Sequence, residues 1–199
     1  MALLRSIREL IRLICRLGRS WVVLPGLVLL LAGNPCLAQS PPAREYQLKA
    51  VFLFNFAQFV AWPANRFSSN TSPIVIGVLG KDPFGSYLDE VIKGERVNGR
   101  SLVIRRFENI EEASQCHILY IGNSEKDHYE QIFERLKGKG ILTVGEMEGF
   151  SLKGGMIRFA PEGSKIRLHI NNQAAREDGL TISSKLLRAA AKVTSTSKG

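Results

Sequence analysis

The chain has 199 residues, with 27 basic against 18 acidic side chains and a net charge of +9. This length suits one domain of ordinary size. The basic residues are dispersed and are not interleaved with aromatic ones, which argues against nucleic acid as a partner.

The first 38 residues are predicted to be a secretory signal peptide that is cleaved after Ala38. Residues 1–21 carry five arginines and one acid, residues 22–33 are apolar, and small residues follow. This order of regions is typical of secretory signals. An uncleaved membrane anchor is the alternative, but the apolar run is shorter than the ~20 residues that a span requires. Cleavage would leave a domain of net charge +5.

The next segment, residues 39–44, is predicted to be a short linker to a single domain over residues 45–193, and residues 194–199 are predicted to be a disordered tail. The domain begins with "REYQLKAVFLFNFAQFVAWP", which is apolar nearly all round and predicts a helix buried on most sides. We expect it to end near Trp62, because Pro63 disfavours helical geometry in the residue before it.

The stretch "IVIGVLGKDPFG" is predicted to be a buried strand followed by a turn into a helix. Its glycines, Gly77, Gly80 and Gly85, match neither the dinucleotide fingerprint nor the phosphate-binding loop of nucleotide-hydrolysing enzymes. Asp82 and Pro83 favour helix initiation, so we interpret the loop as a turn and not as a phosphate site.

The remaining elements alternate between strands and helices. "SLVIRRF", "CHILYIG" and "ILTVGE" read as strands, and "SEKDHYEQIFERLKGKG" reads as a helix that Ser124 caps. "GGMIRFA" and "KIRLHI" alternate with period two around "PEGS", which predicts a hairpin, and a last helix starts near Ser183. The sequence therefore predicts a single three-layer α/β domain with a mostly parallel central sheet, flanking helices and a C-terminal antiparallel hairpin.

Catalytic patterns are missing from this sequence. There is no G-x-S-x-G motif, and the three histidines, His117, His128 and His169, occur singly rather than at a metal-ligand spacing. Glu146 and Glu148 are interpreted as carboxylates in polar surroundings. We predict a non-enzyme without a metal or a cofactor.

Six segments resemble, in this order, the YfiR family of periplasmic regulatory proteins: "EYQLKAVFLFNFAQFVAWP", "IVIGVLGKDPFG", "VNGRSLVIRRF", "CHILYIG", "ILTVGEMEGFSLKGGMIRF" and "KIRLHINNQAAREDGLTISSKLL". The resemblance covers nearly everything from Glu45 to Leu187. It implies a periplasmic protein that binds and represses the periplasmic sensor portion of an inner-membrane diguanylate cyclase, and so controls cyclic-di-GMP and biofilm formation. It also implies an outer-membrane lipoprotein that draws the inhibitor away. The sequence leaves open whether the protein forms a homodimer.

The family resemblance also concerns disulfide bonds. Some members carry cysteine pairs, and Cys116 stands at one such position, but "IVIGVLG" holds no partner cysteine and "GFSLKGGMIRF" lacks a second pair. Cleavage of the signal leaves Cys116 as the single thiol, so we predict no disulfide.

The sequence does not identify the binding surface, and it leaves two sets of candidate residues. One is aromatic, near the end of the first helix, and the other is polar, near the last strand and helix. A free edge of the terminal hairpin is a third candidate surface. The candidate residues are Phe56, Phe59, Trp62, His169, Asn171, Ser183 and Ser184. The alternative function is a periplasmic small-ligand binder that reports to a sensor kinase or transport system, with its pocket at the carboxyl ends of the parallel strands.

Overall fold

The computed structural model describes residues 41–194. The predicted signal peptide and residues 195–199 lie outside this range. The helices are α1 Pro41–Phe59, α2 Ser86–Ile92, α3 Tyr129–Leu136, α4 Asn172–Glu177 and α5 Ser184–Ala189. The strands are β1 Val60–Ala61, β2 Ile74–Leu79, β3 Arg96–Val97, β4 Arg100–Phe107, β5 Ile118–Ile121, β6 Leu142–Gly145, β7 Ile157–Glu162, β8 Lys165–Asn171, β9 Thr181–Ile182 and β10 Lys192–Thr194. Short 3-10 helices cover Ala64–Arg66, Glu112–Gln115 and Asn123–His128.

Eight of these strands form one mixed sheet in the order β10-β8-β7-β6-β5-β2-β4-β3. The strands from β4 through β2, β5 and β6 to β7 run parallel, as expected for strands joined by crossovers. The hairpin of β7 and β8 is antiparallel, and β10 returns parallel to β8. The predicted α/β class, the mostly parallel sheet and the terminal hairpin are confirmed.

The two faces of the sheet carry separate hydrophobic cores. Helices α1 and α2 cover one face, where Leu53, Phe56 and Leu88 are completely buried. Helix α3 covers the other face, and its residues Tyr129 and Ile132 pack against the sheet. Three layers result, with helices on both sides of the sheet.

Helix α1 differs from its prediction at both ends. It begins at Pro41, inside the expected linker, and it ends at Phe59 rather than near Trp62. The reason for the early end is a two-stranded pairing, because Val60 and Ala61 extend to meet β9 and the Ser183 N–H donates to the Phe59 carbonyl over 2.8 Å. Within residues 41–194, no helix is both long and apolar enough to span a bilayer.

Two predicted helix caps are wrong. Asp82 instead closes a turn, because its carboxylate accepts from the Phe84 N–H at 2.7 Å and α2 starts only at Ser86. Ser124 lies in a 3-10 helix, and its hydroxyl accepts from the Lys81 N–H at 3.0 Å. The Asp82 carboxylate is used in a local turn, and the Ser124 hydroxyl is used in a contact with a residue 43 positions away, so neither side chain caps its helix.

The expected free edge of the terminal hairpin is also wrong. Strand β10 covers β8, with Lys192 opposite His169 and Thr194 opposite Asn171. The exposed edge of the sheet is therefore β10 itself, a strand that the sequence did not predict and that includes the first residue of the predicted tail.

Candidate functional site

A groove of about 200 Å³ opens between α1, β8 and α5. Its lining is mostly apolar, namely Phe52, Phe56, Phe59, Ile166, Leu168, Leu186 and Ala189, and the polar residues Asn55, Arg167 and Lys185 complete it. The Nζ atom of Lys185 lies 5.2 Å from the centre of the Phe59 ring at the rim. Lys185 forms no ion pair with the described residues. The groove therefore suits an apolar segment that carries an acidic side chain.

Helix α1 continues this apolar surface along its outer face. Leu48 is 45% exposed and Val51 is 40% exposed, although both are large hydrophobic residues. Residues three and four apart share a helix face, so Leu48, Val51, Phe52 and Phe59 form one stripe. We call this stripe together with the groove the α1 surface. Contiguous exposed apolar patches of this kind mark interaction sites.

The prediction that α1 is buried on most sides holds for the face on the sheet and its flanks, where Lys49, Ala50, Leu53, Phe56 and Ala57 are all but inaccessible to solvent. The exposed stripe is the exception to that prediction. No described element covers the opposite face, so its apolar residues meet solvent.

The aromatic candidates occupy different environments. Phe56 is completely buried at the back of the groove, whereas Phe59 is half-buried and lines its opening. Trp62 lies beyond the groove, where its indole N–H donates to the His117 carbonyl at 3.0 Å. Phe59 is therefore the aromatic candidate that a partner can reach in the groove.

The two serine candidates lie at the start of α5. Ser183 is its N-cap, because its hydroxyl accepts from the Leu186 N–H at 3.3 Å. Ser184 is exposed and precedes Lys185, the cation at the groove rim. Ser183 thus has a structural role, and Ser184 lies beside the α1 surface.

The polar candidates on β8 face away from the groove. Successive side chains on a strand point to opposite faces, so His169 and Asn171 lie on the face opposite Leu168. Asn171 caps α4, since its carboxamide accepts from the Ala174 N–H at 3.1 Å and donates to the Ser151 carbonyl at 3.0 Å. Burial, together with the charges of Arg158 and Lys192, lowers the pKa of His169. The candidate residues therefore lie in two separate clusters on opposite faces of β8 and do not form one site.

The gap between the ends of β2 and β5, where a ligand crevice was expected, is filled by protein, and a cavity of about 280 Å³ opens instead at the ends of β2 and β4, beside Leu79, Glu108 and Glu125. The ends of β2 and β5 are the point where connections leave to opposite sides of the sheet, the usual site for ligands in such folds. Here the Lys81 N–H already donates to Ser124, and the Gly122 N–H donates to the Leu79 carbonyl at 3.0 Å. The side chains of Ser124 and Glu125 fill the space beside Gly80. Backbone donors that could hold a phosphate are thus engaged, as the turn interpretation expected.

A buried polar cluster lies beside this filled gap, and the sequence did not reveal it. The Lys49 ammonium, only 2% exposed, pairs with the Glu146 carboxylate, which directly follows β6. The hydroxyls of Tyr46 and Tyr120 both donate to the same carboxylate. Burial, with a further contribution from Glu146, raises the pKa of Tyr46 to about 12 and that of Tyr120 further. Glu146 therefore does not lie in the polar surroundings expected for it, and it ties α1 to the sheet.

The two reactive side chains before β5 are enclosed. His117 is 4% exposed, and its Nδ1 atom accepts from the Val75 N–H at 3.0 Å. Burial lowers the pKa of His117 to about 4, and the charge of Arg66 adds to the shift. The Cys116 thiol is free and completely buried, and burial raises its pKa to about 12. These groups have packing roles.

Within residues 41–194, no three His, Cys, Asp or Glu side chains lie together as metal ligands would. The model of the YfiR/HmsC-like family matches residues 46–191, which include every strand from β1 to β9. The chain belongs to the YfiR/HmsC-like family.

Among solved structures, this YfiR/HmsC-like chain is similar to two proteins of larger size. One is an ABC domain from Streptococcus pneumonia in complex with L-Trp, with 12% identity and a TM-score of 0.49. It matches 75% of this chain and 60% of the other. The second is a conserved domain protein from Vibrio cholerae, with 16% identity, a TM-score of 0.49 and coverage of 78% and 60%. No curated protein matches the sequence significantly.

The sequence-based prediction did not identify some residues of the α1 surface in this YfiR/HmsC-like domain. Leu48 and Val51 lie at helical spacing with Phe52 and Phe59, a signal that the nearly uniform apolar composition of α1 obscured. Arg158 and Lys192 were missed because their neighbour relation to His169 depends on strand pairing, which has no local sequence signal.

Proposed function

We propose that this protein is an exported, non-enzymatic regulator that binds and represses the periplasmic sensor portion of an inner-membrane diguanylate cyclase. The observation that carries the proposal is the α1 surface on a member of the YfiR/HmsC-like family. The order of basic, apolar and small residues before Ala38 supports export to the periplasm. An outer-membrane lipoprotein that competes for the protein would release the cyclase.

The α1 surface supports binding to a protein segment. Covering the exposed parts of Leu48 and Val51 would contribute about 1 kcal/mol each, since full burial of such a side chain is worth about 1.5–3 kcal/mol. Lys185 at the rim favours a segment with an acidic residue next to its apolar anchors. A repressor requires only that it bind one cyclase conformation more tightly than the other.

The filled gap between the ends of β2 and β5 supports a role without chemistry. A catalytic site needs a nucleophile, a base and a place for the reacting atom within reach of one another. In the described residues the buried titratable groups near the strand ends are held by one another, as Lys49 and Glu146 are. Binding through a surface is the function that fits this arrangement.

The first experiment measures intracellular cyclic-di-GMP in the wild type, in a deletion strain, and in the deletion strain carrying a version that lacks residues 1–38. We expect a rise on deletion that only the exported form reverses. Unchanged cyclic-di-GMP in cells that express the protein would contradict the proposal.

The second experiment places a charge on the α1 surface. Val51→Glu and Leu48→Glu change exposed positions, so the fold should persist while repression is lost. Thr71→Glu is the matched control, because Thr71 is exposed and lies on the loop before β2, away from the groove. If the stripe variants repress as well as the control does, the α1 surface is not the docking site.

A further inference from the structure

A row of basic residues crosses three neighbouring strands at the edge of the sheet. Arg158 on β7 is opposite His169 on β8, and His169 is opposite Lys192 on β10. Directly opposed residues project from the same face, and adjacent strands lie ~4.8 Å apart, so the three side chains converge on one patch. Like charges directly opposite one another destabilise a sheet. Such a row therefore calls for a counter-charge.

Glu148 and Glu162 lie near this row, but among the described residues neither forms an ion pair with a member of it, and Glu162 is paired with Arg167. Arg158 donates through Nε to the Glu146 carbonyl at 3.3 Å, and its terminal amino groups have no described partner. Neither His169 nor Lys192 forms an ion pair with a described residue. The hydroxyl of Ser151 is buried and has no hydrogen-bond partner. Buried polar atoms without partners are rare, and each calls for an explanation.

These groups surround one cavity of about 200 Å³. Arg158, His169, Lys192, Ser151 and Thr194 line its polar side, Leu152 and Ile170 line an apolar side, and Glu148 is the single acid. With Arg158 and Lys192 charged and Glu148 ionised, the lining is net positive. Arginine and lysine are the usual ligands of carboxylate and phosphate oxygens.

We propose that this cavity, which we call the β10 pocket, binds a small organic phosphate monoester. The phosphate group contacts Arg158, His169 and Lys192, and the Ser151 hydroxyl donates to it. The organic part of the ligand packs on Leu152. The pocket lies on the face of β8 opposite the α1 surface, so this inference does not rest on the proposed function.

The test is calorimetric titration of the protein, produced from the full chain, with inorganic phosphate and with phenyl phosphate. Lys192→Gln and His169→Gln should each weaken binding by about tenfold or more, because each removes a hydrogen bond to a charged group. Lys165→Gln is the matched control, since Lys165 is an exposed lysine on β8 that does not line the pocket. It should leave the affinity within about twofold of wild type.

The apolar wall and the histidine provide two further readouts. Phenyl phosphate should bind more tightly than inorganic phosphate, and Leu152→Ser should remove that advantage without weakening the binding of phosphate itself. Phosphate should also move the imidazole NMR resonances of His169 and leave those of the exposed His128 in place. Four charged groups lie around His169 and bear on its titration. They are Arg158 and Glu162 on β7, Lys192 on β10 and Glu148 from the loop.

Two outcomes would overturn the inference. One is no saturable binding of either compound at about 10 mM, a concentration at which even a weak specific site is occupied. The other is an equal loss of affinity in Lys165→Gln and Lys192→Gln, which would mean that only the overall charge matters.

Discussion

Replacing Lys49 by methionine should destabilise the domain by about 3 kcal/mol. Lys49 is 2% exposed and Glu146 is 12% exposed, and removing one member of a buried ion pair costs about 3–5 kcal/mol. Glu146 would keep the hydroxyl donors of Tyr46 and Tyr120, which places the expected loss at the lower end. The second pair of Lys49, with Glu45, adds little, because Glu45 is 44% exposed and such pairs are worth about 0–1 kcal/mol.

Equilibrium unfolding in urea measures this loss. For a domain of this size the free energy of unfolding falls by about 2 kcal/mol per molar urea, so the midpoint of Lys49→Met should fall by roughly 1.5 M. The double variant Lys49→Met, Glu146→Gln should recover most of the loss, because removing both charges of a buried pair is close to neutral. Lys165→Met is the exposed control.

A midpoint of Lys49→Met equal to that of wild type would refute the reasoning. So would a double variant whose loss equals the sum of the two single losses, because the two residues would then be energetically independent.

Three other outcomes follow from single side chains. Because the pKa of His117 is lowered to about 4, the unfolded chain takes up a proton first as the pH falls below ~6.5, and this residue should lower stability by about 3 kcal/mol between pH 6.5 and 4. In urea titrations His117→Gln should reduce the pH dependence by that amount, and the smaller contribution of His169 should remain. Because the pKa values of Tyr46 and Tyr120 are raised, stability should fall as the pH rises above about 10, and native tyrosinate absorbance at 295 nm should appear at higher pH than in the urea-unfolded chain. Ser183→Ala should cost about 1 kcal/mol in thermal or urea unfolding without changing cyclic-di-GMP; a rise in cyclic-di-GMP at unchanged stability would instead make Ser183 a contact residue.

Sequence periodicity predicted those elements whose burial is governed by local pattern. Strand β2 reads as a short apolar run and is buried at all six positions. Strand β8 alternates, and Leu168 and Ile170 are buried while Arg167 is exposed. The stripe of α3 that begins at Tyr129 and includes Ile132 and Leu136 also packs as its helical spacing predicts. Period two and period 3.6 are properties of the strand and helix themselves, so they are legible before the fold is known.

Features that depend on distant pairing were not predictable in this way. The end of α1 is fixed by β9, more than 120 residues later along the chain, and β10 is recognisable only once β8 is in place beside it. The same holds for Glu146, whose partner Lys49 lies 97 positions away. The basic row of the β10 pocket is likewise brought together by register alone, from residues that look unrelated in the sequence.

Gly77 and Cys116 carry one more consequence. A side chain at Gly77 would overlap the Cys116 sulfur, so these neighbouring strands approach closely without a covalent link. The described residues contain one thiol, that of Cys116, so folding of this domain should need no thiol oxidase or disulfide isomerase. The protein should accumulate to the same level in cells that lack those enzymes, and the same fold should form when the domain is produced in a reducing cytoplasm.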